Sequence, residues 1–474
     1  MFTIQIEDSI QAKVIPKKAI KEFRACLAYE NQVWIDGPFH KEAVSKTSFL
    51  CSSPKGTFLV GLVPRVVKYC KENKIAYELK DYVIETHLGK PVAPYLPGIT
   101  PREDQTILLD SILEFYRGLI VAPPGIGKTV LAGLVLSMWP KSQAIIVVHL
   151  SSLFDQTLKE FQKWFGVDNV GVIGKSQWKP SRINVVMAKT ASVILAKNEK
   201  GEHTHERYND FFDIVIESDI LIIDEAHHAG QLKGMYAQIC QRSLAVVKIG
   251  FTATPNESKA KKKEALVCEG LLGPIIGRLG VAEGIEKGLL AKPKLKLIPV
   301  PINTKIGAFT KYRDLYLHGI LKNRYRNRLI VRESQKQVEQ GKTVLIMLVD
   351  VLHGQSIDLQ TMAEELYGLR IEIVQGSTKD DTRVMIQNGL EEKKYKCVIT
   401  TTVWNEGINI PSLDCVINGC GGKSEIATLQ RLGRGLRTTK EKDSFLLIDF
   451  LDPYKYLAQH TIMRLQTYVK NGLL

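Results

Sequence analysis

Residues 118–129, GLIVAPPGIGKT, run an apolar segment into a Pro/Gly turn that ends in Lys128 and Thr129. The pattern reads as a short buried strand feeding a phosphate-binding loop and the first turn of a helix. Ala122 stands where such loops usually begin with glycine, but Gly125 and Gly127 carry no Cβ to keep backbone N–H groups from wrapping an anion. A helix starting near Lys128 turns its free N–H groups and positive end toward the same point. On this reading Pro124, Gly125, Gly127 and Lys128 hold the phosphates of ATP, Lys128 lies against the β and γ groups, and Thr129 binds Mg2+.

An ATPase also needs a carboxylate on Mg2+ and a group that orients the attacking water, both at strand ends beside the loop. Residues 220–227, ILIIDEAH, end an apolar run in Asp224, read as the metal partner, and Glu225, read as the catalytic base. Residues 251–255, FTATP, end a further strand, and the hydroxyls of Thr252 and Thr254 are placed to bond Asp224 or His227 and relay the nucleotide state. Much later, QRLGRGLR puts Gln430, Arg434 and Arg437 at helical spacing on one face. Arginines delivered to a γ-phosphate from a second body neutralise transition-state charge, an effect of roughly 10³ to 10⁵ in rate.

The 474 residues exceed one core and suit roughly two to four domains. Apolar content of 45% and charged content of 24% are those of a globular chain. No apolar run reaches membrane-span length and MFTIQIEDSIQAKV lacks a signal-peptide pattern, so a cytoplasmic protein with no membrane partner is expected. Eight cysteines without a CxxC pair point to reduced structural thiols. His203 and His205 have no carboxylate or cysteine support and read as part of an exposed loop. The net charge of +14 favours a polyanionic partner.

Residues 1–97 read as a small α+β accessory domain, with strands at 2–6, 33–35 and 57–62 and a helix after Pro64. That helix is expected to bury Val67 and Cys70 and to turn Arg65, Lys68 and Lys71 to solvent. Pro91, Pro94, Pro97 and Pro101 mark an extended linker. Residues 98–290 then alternate strand and helix as in a parallel sheet, with strands at 119–122, 144–148, 184–187, 220–223 and 246–251. A Lys-rich, Gly/Pro-punctuated connection runs through Lys292 and Pro293. The body at 291–474 repeats the alternation, with strands at 344–348, 371–374, 397–400, 415–418 and 445–448. Asp449 and Asp452 read as capping or solvated acids.

The order GIGKT, DEAH, TATP, TTTVWNEGINIP and QRLGRGLR resembles the superfamily 2 helicases across residues 99–450, and the stretches around 58–82 and YRNR resemble their phage UvsW and XPB-like branch. The resemblance implies an α/β fold of two tandem RecA-like domains, parallel sheets flanked by helices, with ATP and Mg2+ as cofactors. It implies that Arg102 and Gln105 lie at the adenine, that Gly407 and Asn409 reach the nucleotide, and that Thr401 and Glu406 touch nucleic acid. VHLSSLFDQ, residues 148–156, departs from the proline-containing motif of typical relatives.

In such motors the strand is held mainly by its phosphates. Residues 305–342 carry ten Lys/Arg against three acids, and Lys322, Arg324, Arg326 and Arg328, interleaved with Tyr312, Tyr316 and Tyr325, are the expected DNA contacts. The function implied is ATP-dependent unwinding or branch migration of DNA forks, Holliday junctions and single-strand/duplex junctions, beside phage or host replication and recombination proteins. The alternatives are a duplex translocase or RNA helicase without branch preference, and an ATP-gated nucleic-acid clamp.

Overall fold

A computed structural model describes residues 1–36, 41–81, 88–198, 200–253, 255, 261–349, 353–401, 413–423 and 444–474. Thr254, Glu406, Gly407, Asn409, Gln430, Arg434 and Arg437 lie outside the described residues. The structure divides into two compact units, one of Met1–Ala122 with Lys128–Arg278 and one of Pro123–Gly127 with Leu279–Leu474.

The first unit opens with β1 (Phe2–Ile6), β2 (Gln11–Ile15), β3 (Ala28–Asp36), β4 (Lys41–Phe49), β5 (Thr57–Leu59) and β6 (Tyr77–Asp81). β5, β2, β1 and β6 form one sheet in that order, and β3 and β4 form a separate hairpin. Alternation along β1 and β2 buries Phe2, Ile4, Ala12 and Val14 on one face. The helix Val63–Glu72 covers that face with Val63, Val66 and Cys70. Cys70 is buried as expected, Val67 is half-buried against the same core, and Val66, which the sequence reading did not single out, is fully buried.

Eight strands follow in the same unit: β7 (Arg117–Val121), β8 (Ala144–Val148), β9 (Val170–Gly174), β10 (Gln177–Lys179), β11 (Ile183–Met187), β12 (Ile220–Ile223), β13 (Val247–Thr252) and β14 (Ile275–Arg278). Their order is β10-β9-β11-β8-β12-β13-β7-β14. Every pairing is parallel except the β9–β10 hairpin. β8 and β12 are buried along their whole length, as parallel strands covered on both faces require.

The accessory sheet shares one core with this second sheet, in which Ile4, Phe23, Val66 and Cys70 belong to the same cluster as Leu119, Leu266 and Leu271. Two cations, buried Lys248 and half-buried Arg117, bind the parts further. Lys248 donates to the carbonyls of Ser9 at 2.8 Å and Ser243 at 2.6 Å, and Arg117 donates to Ser9 at 3.3 Å and Leu271 at 3.2 Å. Burial lowers the Lys248 pKa well below its ordinary value. Lys248 and Arg117 pair in register at the starts of β13 and β7, so the accessory sheet packs at the end of the sheet where these strands begin. Arg65 is exposed as expected and also forks onto Glu269 at 2.9 and 2.6 Å.

The proline-rich segment is extended and held in place. Val92 N–H bonds Met138 O at 2.8 Å, Tyr95 N–H bonds Ser137 Oγ at 3.0 Å, and Leu96 is buried.

Gly61 reports how closely the accessory part sits. A Cβ there would come within 2.2 Å of Glu269 O and 2.7 Å of Gly270 O, backbone atoms that cannot turn aside. Gly61→Ala is expected to destabilise the first unit by about 1–3 kcal/mol. Denaturant unfolding checks this, and an unchanged midpoint would refute the tight docking.

The second unit contains β15 (Lys292–Pro299), β16 (Val344–Met347), β17 (Glu372–Val374), β18 (Cys397–Thr400), β19 (Cys415–Asn418) and β20 (Ser444–Leu451). They form a parallel sheet in the order β15-β20-β19-β16-β18-β17. β15 corrects the reading of Lys292 and Pro293 as connector. Its Lys and Pro residues suit an edge strand and hide the apolar alternation that marks inner strands. No helix among the described residues is long and apolar enough to cross a membrane.

Candidate functional site

The loop that the sequence reading assigns to phosphate joins the end of β7 to the helix Lys128–Met138. Gly125 and Gly127 have φ of +93° and +84°, values that side chains with a Cβ rarely adopt. Lys128 Nζ is buried, makes no hydrogen bond among the described residues, and stands 3.7 Å from Glu225 Oε1. Lys128, Thr129 and Asp224 line one small cavity with Thr157, Phe161 and Phe251. A buried ammonium that makes no hydrogen bond among the described residues and has one acid at 3.7 Å, glycines at positive φ, and a hydroxyl lining the same cavity as a carboxylate fit a nucleoside triphosphate with Mg2+.

Glu225 has left-handed backbone, φ 49° and ψ 51°, an uncommon conformation for a residue with a side chain. That turn at the end of β12 brings Glu225 to both Lys128 and His227, whose Nδ1 is 3.4 Å from Glu225 Oε2. The same Nδ1 is 3.1 Å from Thr252 Oγ1 at the end of β13. Burial and the adjacent Glu225 charge raise the Asp224 pKa above the ordinary carboxylate value, against the lowering pull of Lys128 and His149.

His149 is a neighbour that the motifs did not single out. Its ring centroid lies 4.9 Å from that of His228, which lies 4.2 Å from that of His227. The visible signal was the departure of VHLSSLFDQ at the end of β8.

Arg102 and Gln105 begin the helix Glu103–Phe115. Gln105 Oε1 accepts from Arg102 N–H at 3.2 Å, and Gln105 Nε2 is buried without a hydrogen bond among the described residues. Arg102 forks onto Asp104 at 3.0 Å. Pro124 is partly exposed in the loop.

In the second unit, Lys322, Arg324 and Arg328 are exposed as expected for a binding surface, but Arg326 is not. Arg326 is 0% exposed, donates to Asp452 Oδ1 and Gly419 O at 2.8 Å each, and lies over the Phe450 ring. Its assignment to DNA is corrected accordingly: in the helix Arg324–Glu339 this position faces the sheet. Asp449 and Asp452 are not solvated acids either. Both are buried, and Asp449 accepts from Arg464 at 2.8 Å and from Tyr468 at 2.7 Å. Burial raises the Asp452 pKa despite Arg326 and Arg464 beside it. Thr401 is buried at the end of β18, with its N–H on Val374 O, so its side chain does not reach a nucleic-acid surface in this arrangement.

The family described as type III restriction enzyme, res subunit, matches residues 98–257, and the helicase conserved C-terminal domain matches residues 316–439. The chain belongs to the superfamily 2 helicases. Within them it stands near the UvsW and XPB branch. Against the DNA 3'-5' translocase XPB2 of Sulfurisphaera tokodaii this helicase is 27% identical, over 81% of its own length and 87% of that protein. A protein named as helicase 22 of Sulfolobus islandicus filamentous virus is 25% identical, but the match spans 75% of this chain and only 64% of that one. Saccharomyces cerevisiae Dbp5 bound to RNA and ADP BeF3 has a similar fold, with a TM-score of 0.55 at 16% identity over 79% of this chain and 88% of that one. Both bodies of the helicase are RecA-like.

Proposed function

We propose that this helicase uses ATP hydrolysis to unwind or branch-migrate branched DNA such as forks and four-way junctions. The observation that carries the ATPase part is the constellation at the ends of β7, β12 and β13, where Lys128, Glu225, His227 and Thr252 stand in one chain of contacts. DNA as the substrate is supported by the name of the translocase relative, and branched DNA by the resemblance to UvsW.

ATP with Mg2+ supplies the phosphoryl group whose transfer to water releases free energy. Gly125, Gly127 and Lys128 would hold the phosphates, and Thr129 and Asp224 the metal. Glu225 would orient water and accept its proton, and the His227–Thr252 contact would carry the state of Glu225 to the end of β13. Glu225→Gln keeps the shape of the side chain and removes its basicity, so it is expected to bind ATP and hold it unhydrolysed. Filter retention of labelled ATP checks this, and rapid release as ADP would contradict the assignment.

The function itself is tested by turnover and strand displacement on linear duplex, forked, four-way and RNA substrates side by side. Faster unwinding of branched DNA supports the proposal, and equal rates on all DNA forms overturn the branch preference. The printed name of the translocase relative favours a second reading, in which hydrolysis on duplex DNA proceeds without strand displacement. Binding with negligible turnover would indicate a clamp instead.

A further inference from the structure

We propose that the flank of the second body made by edge strand β15 and the exposed face of helix Arg324–Glu339 is a surface for the phosphate backbone of DNA. The proposal rests on DNA being the substrate; it drops Arg326, keeps Arg328, and adds Arg332, Lys336 and the lysines of β15, which the sequence reading did not assign.

Two rows of cations define the flank. Arg328, Arg332 and Lys336 are exposed at every fourth position of the helix, about 6 Å apart along its axis. Lys292, Lys294 and Lys296 are exposed at alternate positions of β15, about 6.5 Å apart. One buried carboxylate joins the rows. Glu333, 1% exposed, accepts from Lys296 Nζ at 2.6 Å and stands 3.3 Å from Arg332 Nη2 and 3.6 Å from Lys336 Nζ. Burial opposes the charge of Glu333, but the Lys296 hydrogen bond and the surrounding cations prevail and keep its pKa below the ordinary value.

The carboxylate cancels one of the three charges it gathers and holds their head groups together. About half of each cationic side chain stays exposed, at 44% for Lys296, 47% for Arg332 and 51% for Lys336. A cluster built for stability alone would match acids to bases; here the other acid on the helix is Glu339, near its end. Lysines on an edge strand can serve to block pairing with another chain. That role accounts for β15 but leaves the helix row and its anchoring at Glu333 unexplained. A linear polyanion matches both rows, since each phosphate neutralised releases counterions.

The test measures binding of the full chain to labelled duplex and single-stranded DNA between about 50 and 200 mM salt. The variants are the quadruple Lys292→Gln, Lys294→Gln, Arg332→Gln, Lys336→Gln and a control, Lys197→Gln with Lys200→Gln, on an exposed loop of the first body. The quadruple variant is expected to weaken binding at least tenfold and to flatten the slope of log Kd against log salt by about two or more, alike for all sequences. The control is expected to bind as the parent does. Thermal melting of the quadruple variant at the parental temperature excludes unfolding as the cause. A parent that binds DNA beside a quadruple variant of equal affinity and slope overturns the flank alone. A parent that binds no DNA overturns the substrate reading and the flank with it.

Discussion

Replacing Lys128 by alanine is expected to lower DNA-stimulated ATP hydrolysis by at least about two orders of magnitude, the scale seen when one preorganised charge-stabilising donor is removed. The ammonium is buried and makes no hydrogen bond within the described fold, so its electrostatic reach is directed at what the loop holds. Its nearest acid, Glu225 Oε1, is 3.7 Å away, too far for a hydrogen bond and close enough to be reorganised when phosphates enter. Phosphate release under saturating DNA measures the loss. Thermal melting should barely change, because the side chain supports no structural hydrogen bond. Turnover within tenfold of the parent would remove Lys128 from the active site.

Arg326→Ala is expected to destabilise the second unit by about 3–5 kcal/mol, since it leaves Asp452 buried and poorly compensated. Among the described residues Asp452 would keep Arg464, whose Nη2 is 3.7 Å from Oδ2. The carbonyl of Gly419 would also lose the 2.8 Å bond from Arg326. Arg324→Ala, two residues earlier and exposed, should change stability by no more than about 0.5 kcal/mol. Denaturant unfolding followed by hydrogen exchange in helix Arg324–Glu339 separates the two. A loss below about 1 kcal/mol for Arg326→Ala would show that the network is not needed. Any loss of DNA binding by an Arg326 variant should therefore be tested for unfolding before it is ascribed to a contact.

These two predictions mark where the letters sufficed and where they did not. The inner strands β8, β12, β18 and β19 were legible to the residue because parallel strands buried on both faces are unbroken apolar runs. The glycine turn between β7 and the helix Lys128–Met138 was legible for a similarly local reason, as Gly125 and Gly127, both at positive φ, and Lys128 lie within one turn of chain. Edge elements were harder. β15 alternates lysine with leucine and proline, and β10 is a three-residue strand that pairs only with β9.

The run Arg324-Tyr325-Arg326-Asn327-Arg328 established by itself that a basic helix stands there. Which arginine points inward was decided by Asp452, 126 residues later, and by the Phe450 ring beneath it. In the same way, DEAH announced an acid pair at a strand end, but the left-handed backbone of Glu225 and the contact of His227 with Thr252 exist only once β12 and β13 lie side by side. Chain order alone settled what is local, the glycine turn after β7, the acid pair at the end of β12 and the buried strands, because backbone conformation and hydrophobic periodicity act over a few residues. Tertiary structure alone decided which charges are buried and paired and that the accessory sheet shares the core of the first body, because desolvation and ion pairing depend on partners that chain order does not bring together.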